Sequence, residues 1–140
     1  MISLLRIILA TLLLASCAQS VDFEFEAESE NLSAKAAITK ISFARRFEDG
    51  FAKFSGNVTI KNTSLQPQGY SNMWLWLRSG EKVQARAWLD NWTSHYIDEG
   101  EVEIEPGDAI ELSVYWVLPE SEVEKFGGNT FVLEIRASGE

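Results

Sequence analysis

The stretch that decides the fold is AIELSVYWVL, residues 109–118. Its apolar side chains recur at every second position, and they are Ile110, Leu112, Val114, Trp116 and Leu118. Successive side chains of a β-strand point to opposite faces of a sheet, so this spacing predicts a strand with one buried face. Such strands are typical of antiparallel sheets that pack one face against a core.

The same two-residue spacing occurs on both sides of this stretch. It is present in KFSGNVTIKNTS (53–64), EVEIE (101–105) and TFVLEIRAS (130–138), and turn signals such as Pro106-Gly107 separate the segments. The segment ESEVEKF (120–126), between Pro119 and two glycines, is the one place where we expect a short helical turn. The pattern predicts an all-β protein of about seven strands, built as a sandwich or barrel.

The order of these segments resembles a known domain family. VTIKNTS (58–64), EIEPGDAIELSVYWVLPES (103–121) and FVLEI (131–135) are similar to the immunoglobulin-like domains of secreted bacterial lipoproteins, whose fold is like that of an immunoprotective antigen. The resemblance implies an immunoglobulin-like antiparallel β-sandwich. A group of bacterial proteinase-inhibitor-like domains has the same layout, so the resemblance leaves the activity open, and it supplies no catalytic residue.

The start of the chain reads as a lipoprotein signal peptide over residues 1–16. Arg6 precedes an apolar run of about ten residues that ends in small residues, which is typical of a secretory signal and too short for a membrane span. Leu14, Ala15 and Ser16 precede Cys17, the only cysteine, and resemble a bacterial lipobox. The resemblance implies that Cys17 is acylated, with palmitate among the usual acyl chains, and anchors the protein in a bilayer. Ala18 after the cysteine favours the outer membrane, facing the periplasm.

The charged residues after the signal peptide bear on the possible partners and on the boundary of the folded domain. Loss of Arg6 with the signal peptide leaves 11 basic and 21 acidic side chains, which argues against nucleic acid as a partner. Acids at every second position from Asp22 to Glu30 suggest that residues 17–31 are an acidic tether, although such alternation can also indicate a strand. Residues 32–140 are then the sandwich domain.

The strand over residues 73–78 is apolar on both faces, and a sandwich buries only one face of each sheet. A two-residue turn at Ser79-Gly80 would bury Trp74 and Trp76 and turn Met73 and Leu75 outward, whereas a three-residue loop would reverse the faces. The glycine position favours the two-residue turn. This interpretation predicts an exposed partner-binding patch, formed by Met73, Leu75, Arg86 and Trp88.

We therefore expect a non-catalytic module that binds or assembles with another envelope protein or peptide. The alternatives are a small-ligand module that stacks carbohydrate on Trp92 and Tyr96, and a proteinase-inhibitor-like domain. The single histidine, His95, cannot supply a zinc site without further His or Cys ligands, and its neighbours in sequence do not define a catalytic triad. The sequence thus predicts no enzyme activity, no metal site and no cofactor.

Overall fold

The computed structural model describes residues 18–43, 50–71, 74–89, 102–126 and 130–136. Within these ranges the chain forms ten β-strands and a short 3₁₀ helix. The strands are β1 (Ala18–Glu28), β2 (Leu32–Ser42), β3 (Phe51–Asn62), β4 (Gln68–Tyr70), β5 (Leu75–Ser79), β6 (Val83–Arg86), β7 (Trp88–Leu89), β8 (Val102–Ile104), β9 (Ala109–Pro119) and β10 (Phe131–Ile135). The helix spans Glu120–Lys125 and confirms the expected helical turn.

The strands form an antiparallel, immunoglobulin-like sandwich. The first sheet has the order β1-β2-β3-β9-β7 and the second has the order β10-β5-β6, while β4 and β8 form a separate pair. An immunoglobulin sheet of strands A, B, E and D faces a sheet that contains F, C and C′. Strands β2, β3, β9 and β7 take the first set of places, and β10, β5 and β6 take the second. The described residues include no counterpart of strand G.

The core lies between the inner faces of the two sheets. In β9, Leu112, Val114, Trp116 and Leu118 are buried, as their spacing predicts. In β3, Phe54, Val58 and Ile60 are fully buried on the same side. Each of these strands therefore supplies an alternating apolar row to one core, which accounts for its two-residue periodicity.

Gly56 is needed because two backbones approach closely in the middle of β3. The register between β2 and β3 shifts between the pairs Ile38–Gly56 and Lys40–Ser55, which marks a β-bulge. A Cβ atom at position 56 would lie 1.9 Å from the carbonyl oxygen of Ala37. A side chain at this position would displace the bulged strand, so glycine is required here.

The buried side chain of Asn62 organises the turn after β3. Its amide nitrogen donates hydrogen bonds to the carbonyl oxygens of Gln66 (2.7 Å) and Ile104 (2.8 Å). Its Oδ1 accepts hydrogen bonds from the backbone N–H of Ser64 (2.8 Å) and from the Ser64 hydroxyl (2.7 Å). One asparagine therefore ties the turn to β8, which explains in physical terms the Asn-Thr-Ser sequence that carried part of the family resemblance.

The interpretation of residues 17–31 as a tether is wrong for residues 18–28. These residues form β1, which pairs with β2 from Ala18–Ser42 to Glu28–Ser33 as the edge strand of the first sheet. Phe23 and Phe25 pack against Phe126, with ring centroids 4.7 Å and 5.8 Å apart. The acids alternate because one face of this strand is exposed, so the sandwich begins close to residue 18 rather than at residue 32.

Candidate functional site

The site lies on the outer face of the second sheet and depends on which side chains of β5 are buried. Leu75 and Leu77 are fully buried, whereas Trp76 and Arg78 are half-buried. Strand β6 pairs with β5 so that Trp76 lies opposite Arg86 and Ser79 lies opposite Val83. Trp76 and Arg78 therefore point outward, together with Gln84 and Arg86.

This register corrects the expectation that Leu75 is exposed and that Trp76 faces the core. The loop between β5 and β6 has three residues, 80–82, and Ser79 remains in the strand. The buried Ser79 hydroxyl donates a 2.5 Å hydrogen bond to Glu122, and the N–H of Gly80 donates to the carbonyl oxygen of Thr130 (3.0 Å). These bonds hold residues 79 and 80 against neighbouring segments, so the loop starts one residue later than in the two-residue turn.

A continuous polar and aromatic surface results, which we call the tryptophan–arginine face. It consists of Trp76, Arg78, Arg86, Trp88, Glu134 and Arg136. Across the sheet, Trp76 lies between Glu134 of β10 and Arg86 of β6. Arg136 follows β10, and Trp88 lies just beyond β6, where the chain crosses to the first sheet.

Each tryptophan of this face has a guanidinium group over its ring. The Cζ atom of Arg136 lies 4.5 Å from the ring centroid of Trp76, and that of Arg86 lies 3.7 Å from the centroid of Trp88. Both distances are within the range of cation–π attraction. Trp88 is 40% exposed, so the face presents an aromatic surface beside fixed positive charges.

Glu134 forms ion pairs with two of the three arginines. Its carboxylate accepts hydrogen bonds from Nε of Arg78 (2.7 Å) and from Nη2 of Arg136 (2.9 Å). The hydrogen bond from Arg78, followed by that from Arg136, lowers the pKa of Glu134 below its usual value of 4.5. The folded state therefore gains stability from the ionised carboxylate above that value and loses it as the pH falls through the lowered pKa.

Arg86 differs from the other two arginines. Its Nη1 atom is buried and has no hydrogen-bond partner among the described residues. Within the same part of the chain, no carboxylate forms an ion pair with it. Arg86 stacks on Trp88, and this contact restricts its guanidinium group. Glu134, which pairs with Arg78 and Arg136, does not pair with Arg86.

An open groove of about 590 Å³ adjoins the face. Gln84, Glu134 and Arg136 line the groove on the side of the tryptophan–arginine face. Ala27, Leu133 and Ile135 contribute apolar surface, and Glu28, at the end of β1, adds a second carboxylate to the lining. The groove therefore joins the tryptophan–arginine face to a mixed apolar and acidic surface.

The predicted partner-binding patch is only partly preserved. Arg86 and Trp88 come together at the surface, whereas Leu75 is in the core and is not available to a ligand. Met73 lies outside the described residues, as do Trp92 and Tyr96 of the alternative carbohydrate platform, the lipobox with Cys17, and His95. Their predicted roles stay predictions.

The sequence analysis exposed Trp76, together with Trp74 and beside Arg86, only for a three-residue loop, and it did not identify Glu134 and Arg136 as residues of the site. A signal was present for both, because Glu134 and Arg136 alternate with the apolar Leu133 and Ile135. Their proximity to Trp76 depends on the pairing of β5 with β10, which joins segments more than fifty residues apart.

The described residues contain no group of three or more His, Cys, Asp or Glu side chains placed to hold a metal ion. Likewise, no helix in the described ranges is both long and apolar enough to cross a bilayer. The arrangement of the face is suited to non-covalent recognition, since fixed guanidinium groups bind carboxylates and aromatic rings supply contact area.

No protein-family model matches the chain, and no curated protein is similar to it. Comparison with solved structures finds similar chains, one of which is a functionally unknown protein from Listeria monocytogenes. It shares 13% identity over 78% of this chain and 68% of that chain, with a TM-score of 0.48. Another is an uncharacterized β-sandwich protein from Clostridium difficile, which shares 12% identity over 80% of this chain and 89% of that chain, with a TM-score of 0.41.

Proposed function

We propose that this protein is a non-catalytic binding module of the bacterial cell envelope. Acylated Cys17 anchors it in the membrane, in the outer membrane facing the periplasm, and the tryptophan–arginine face holds another envelope protein or peptide. The observation that carries this proposal is the grouping of two tryptophans and three arginines, four of which lie on or next to the second sheet, while Trp88 lies in β7 of the first sheet and stacks on Arg86. Tryptophan and arginine are the residues most enriched at the energetic centres of protein interfaces.

A carbohydrate ligand is less well supported by this face. Sugars bind to aromatic platforms by stacking on the ring, and a guanidinium group already lies over Trp76 and over Trp88. A stacked sugar would have to displace Arg136 or Arg86. A polypeptide can instead contact the ring edges and pair its polar groups with the arginines.

The anchor is tested by the variant Cys17→Ser. We expect Cys17→Ser to block maturation, so that the protein either accumulates as an unprocessed precursor or is released from the membrane fraction, because the thiol that receives the lipid is absent. Fractionation of cells by centrifugation measures this, with the unsubstituted chain as control. A Cys17→Ser protein of mature size that still sediments with membranes would rule out the anchor.

The face is tested by site-specific photo-crosslinking of the full-length protein in cells. A photoreactive residue replaces Gln84, which is exposed and borders the tryptophan–arginine face, and a matched control replaces Thr59, which is exposed on the outer side of the first sheet. We expect a discrete adduct with another envelope protein from position 84 and none from position 59. The absence of an adduct at position 84, or equal adducts at both positions, would overturn the proposal.

A further inference from the structure

We infer that the outer edge of β10 binds an extended segment of the partner as an added antiparallel β-strand, in which apolar side chains alternate with basic ones. This inference rests on the proposed function and names how the partner is held. Its first basis is the place of β10 in the fold. In an immunoglobulin sandwich the corresponding strand, F, shares its sheet with C and G, whereas β10 pairs only with β5 among the described residues. Within this part of the chain, the edge that strand G would cover is unpaired.

The hydrogen-bond pattern shows which backbone groups lie along this edge. The N–H of Gly80 donates to the carbonyl oxygen of Thr130 (3.0 Å), and the N–H of Arg136 donates to that of Trp74 (2.7 Å). Successive residues of an antiparallel strand direct their backbone groups to opposite sides, so the even-numbered residues of β10 bond to β5. The odd-numbered residues direct their N–H and C=O groups to the outer edge, and they are Phe131, Leu133 and Ile135. These groups match the main-chain pattern of an added polypeptide strand.

Strand β10 lacks the features by which edge strands discourage pairing. Apart from Glu134 its residues are all apolar, and this carboxylate is already paired with Arg78 and Arg136. By contrast, β1 at the edge of the first sheet has an exposed acid at every second position from Asp22 to Glu28, and charges of this kind oppose edge pairing. Strands β4, β6, β7 and β8 have only two to four residues each. The edge of β10 is therefore the one best suited to strand addition in the described part of the chain.

The open groove gives the side chains of an added strand a place to pack. It lies where the end of β1 comes beside β10, and its volume is about 590 Å³. Ala27, Leu133 and Ile135 supply its apolar lining. Every second side chain of an added strand would point to this side, so apolar residues at alternate positions fit the groove.

The charges around the groove favour a basic segment. The carboxylates of Glu28 and Glu134 line it together with one guanidinium group, that of Arg136. The exposed acids of β1 extend the negative surface beyond Glu28. The whole chain has a net charge of −9, which attracts a basic polypeptide and opposes the approach of a second copy.

The test measures binding of a labelled octapeptide of alternating valine and lysine to the full-length protein in neutral detergent by fluorescence anisotropy. Valines that face the groove lie opposite Leu133 and Ile135, and their backbone groups point at β10. Methyl groups on the valine nitrogens should therefore weaken binding by at least about tenfold, because they remove the hydrogen bonds to β10. Methyl groups on the lysine nitrogens serve as the matched control and should change the affinity by less than about threefold. A valine–glutamate octapeptide should bind more weakly than the valine–lysine one.

Amide hydrogen exchange, followed by NMR, locates the bound peptide. In the protein alone, the amides of Leu133 and Ile135 should exchange faster than those of Val132 and Glu134, which bond to β5. The valine–lysine peptide should slow exchange at Leu133 and Ile135 by at least about tenfold, since it pairs these groups.

The variant Ile135→Pro tests the same edge from the side of the protein. It removes an N–H that points away from β5, so the pairing within the sheet is kept. We expect peptide binding to fall by at least about tenfold, whereas Ile135→Ala, which keeps the N–H, should lose less. Circular dichroism melting shows whether each variant is folded, and the methylated peptides decide the matter if Ile135→Pro is not.

Equal binding of the unmethylated peptide and both methylated peptides would overturn the inference. Unchanged exchange at Leu133 and Ile135 would do the same, as would tighter binding of the valine–glutamate peptide. Dimers that Ile135→Pro abolishes, detected by sedimentation, would identify a second copy as the occupant and also overturn it. If the crosslink from position 84 persists while the edge of β10 proves irrelevant, the proposed function stands and strand addition does not.

Discussion

At the scale of single residues, the buried polar atoms that lack partners show where stability is lost. The hydroxyl of Tyr70 is fully buried and has no hydrogen-bond partner within the described residues. Burial also raises the pKa of Tyr70 well above its ordinary value of 10.0, since the charged phenolate is poorly solvated there. This residue is held in place by its ring, which packs edge-on against Trp74, and not by its hydroxyl.

We therefore expect Tyr70→Phe to stabilise the fold at neutral pH by about 1 kcal/mol, because it removes an unsatisfied buried group. In the unchanged protein, the unfolded state loses the phenol proton above about pH 10 while the folded state keeps it. The free energy of unfolding should thus fall as the pH rises above that value, and the Phe variant should lack this contribution. Urea unfolding at pH 7 and pH 11 measures both effects. A destabilised variant at pH 7 would show that the hydroxyl has a partner.

At the scale of elements, the register of β5 decides which residues are available for function. Leu75 is fully buried, so Leu75→Gln should destabilise by about 3 kcal/mol or more, because it puts an amide into the core. Trp76→Gln should lower the free energy of unfolding by about 1 kcal/mol, since Trp76 is only half-buried and its main loss is the cation–π contact with Arg136. Thermal unfolding of the two variants compares them directly. If Trp76→Gln were the more damaging change, the register would be the opposite one.

The elements also show what the sequence can predict. Strands β3 and β9 could be predicted because each has one apolar face, and the two-residue spacing of its apolar side chains is visible in the sequence. The turn after β5 was not, because Ser79 is kept in its strand by Glu122, forty-three residues later. The face around Trp76 follows from that register. Spacing therefore predicts which segments are strands, but long-range hydrogen bonds select between two faces that are both apolar.

At the scale of the whole molecule, the interpretation of β1 as a tether was wrong because the contacts that make this segment a strand are also long-range. Four exposed acids, Asp22, Glu24, Glu26 and Glu28, dominate the composition of this segment, and composition favoured a solvated tether. Its apolar side chains contact Phe126, which lies a hundred residues away and in turn packs on Phe54 and Phe131. The first strand therefore completes a core that is built mostly from the middle and the end of the chain.

The two interpretations of β1 differ in what happens when it is replaced. Substitution of residues 18–30 by a Gly/Ser segment of equal length keeps the spacing but removes Phe23, Phe25 and the pairing with β2. We expect the free energy of unfolding to fall by about 4 kcal/mol or more, because the replacement removes two aromatic side chains and the strand that pairs with β2. Against a total stability of roughly 5–15 kcal/mol, this loss should lower the urea midpoint sharply or unfold the domain.

The matched control changes only the charges of the same segment. Replacing the four acids by Gln leaves the apolar face and the backbone pairing intact, and the ion pair of Glu26 with Lys35 is exposed, at 3.7 Å, and worth little. This variant should unfold within about 1 kcal/mol of the unchanged protein. Equal urea midpoints for the Gly/Ser replacement and the control would support the original interpretation of this segment as a tether. The expected separation between them would show that the sandwich begins directly after the residue that we propose carries the lipid, so that no flexible spacer separates the binding face from the membrane.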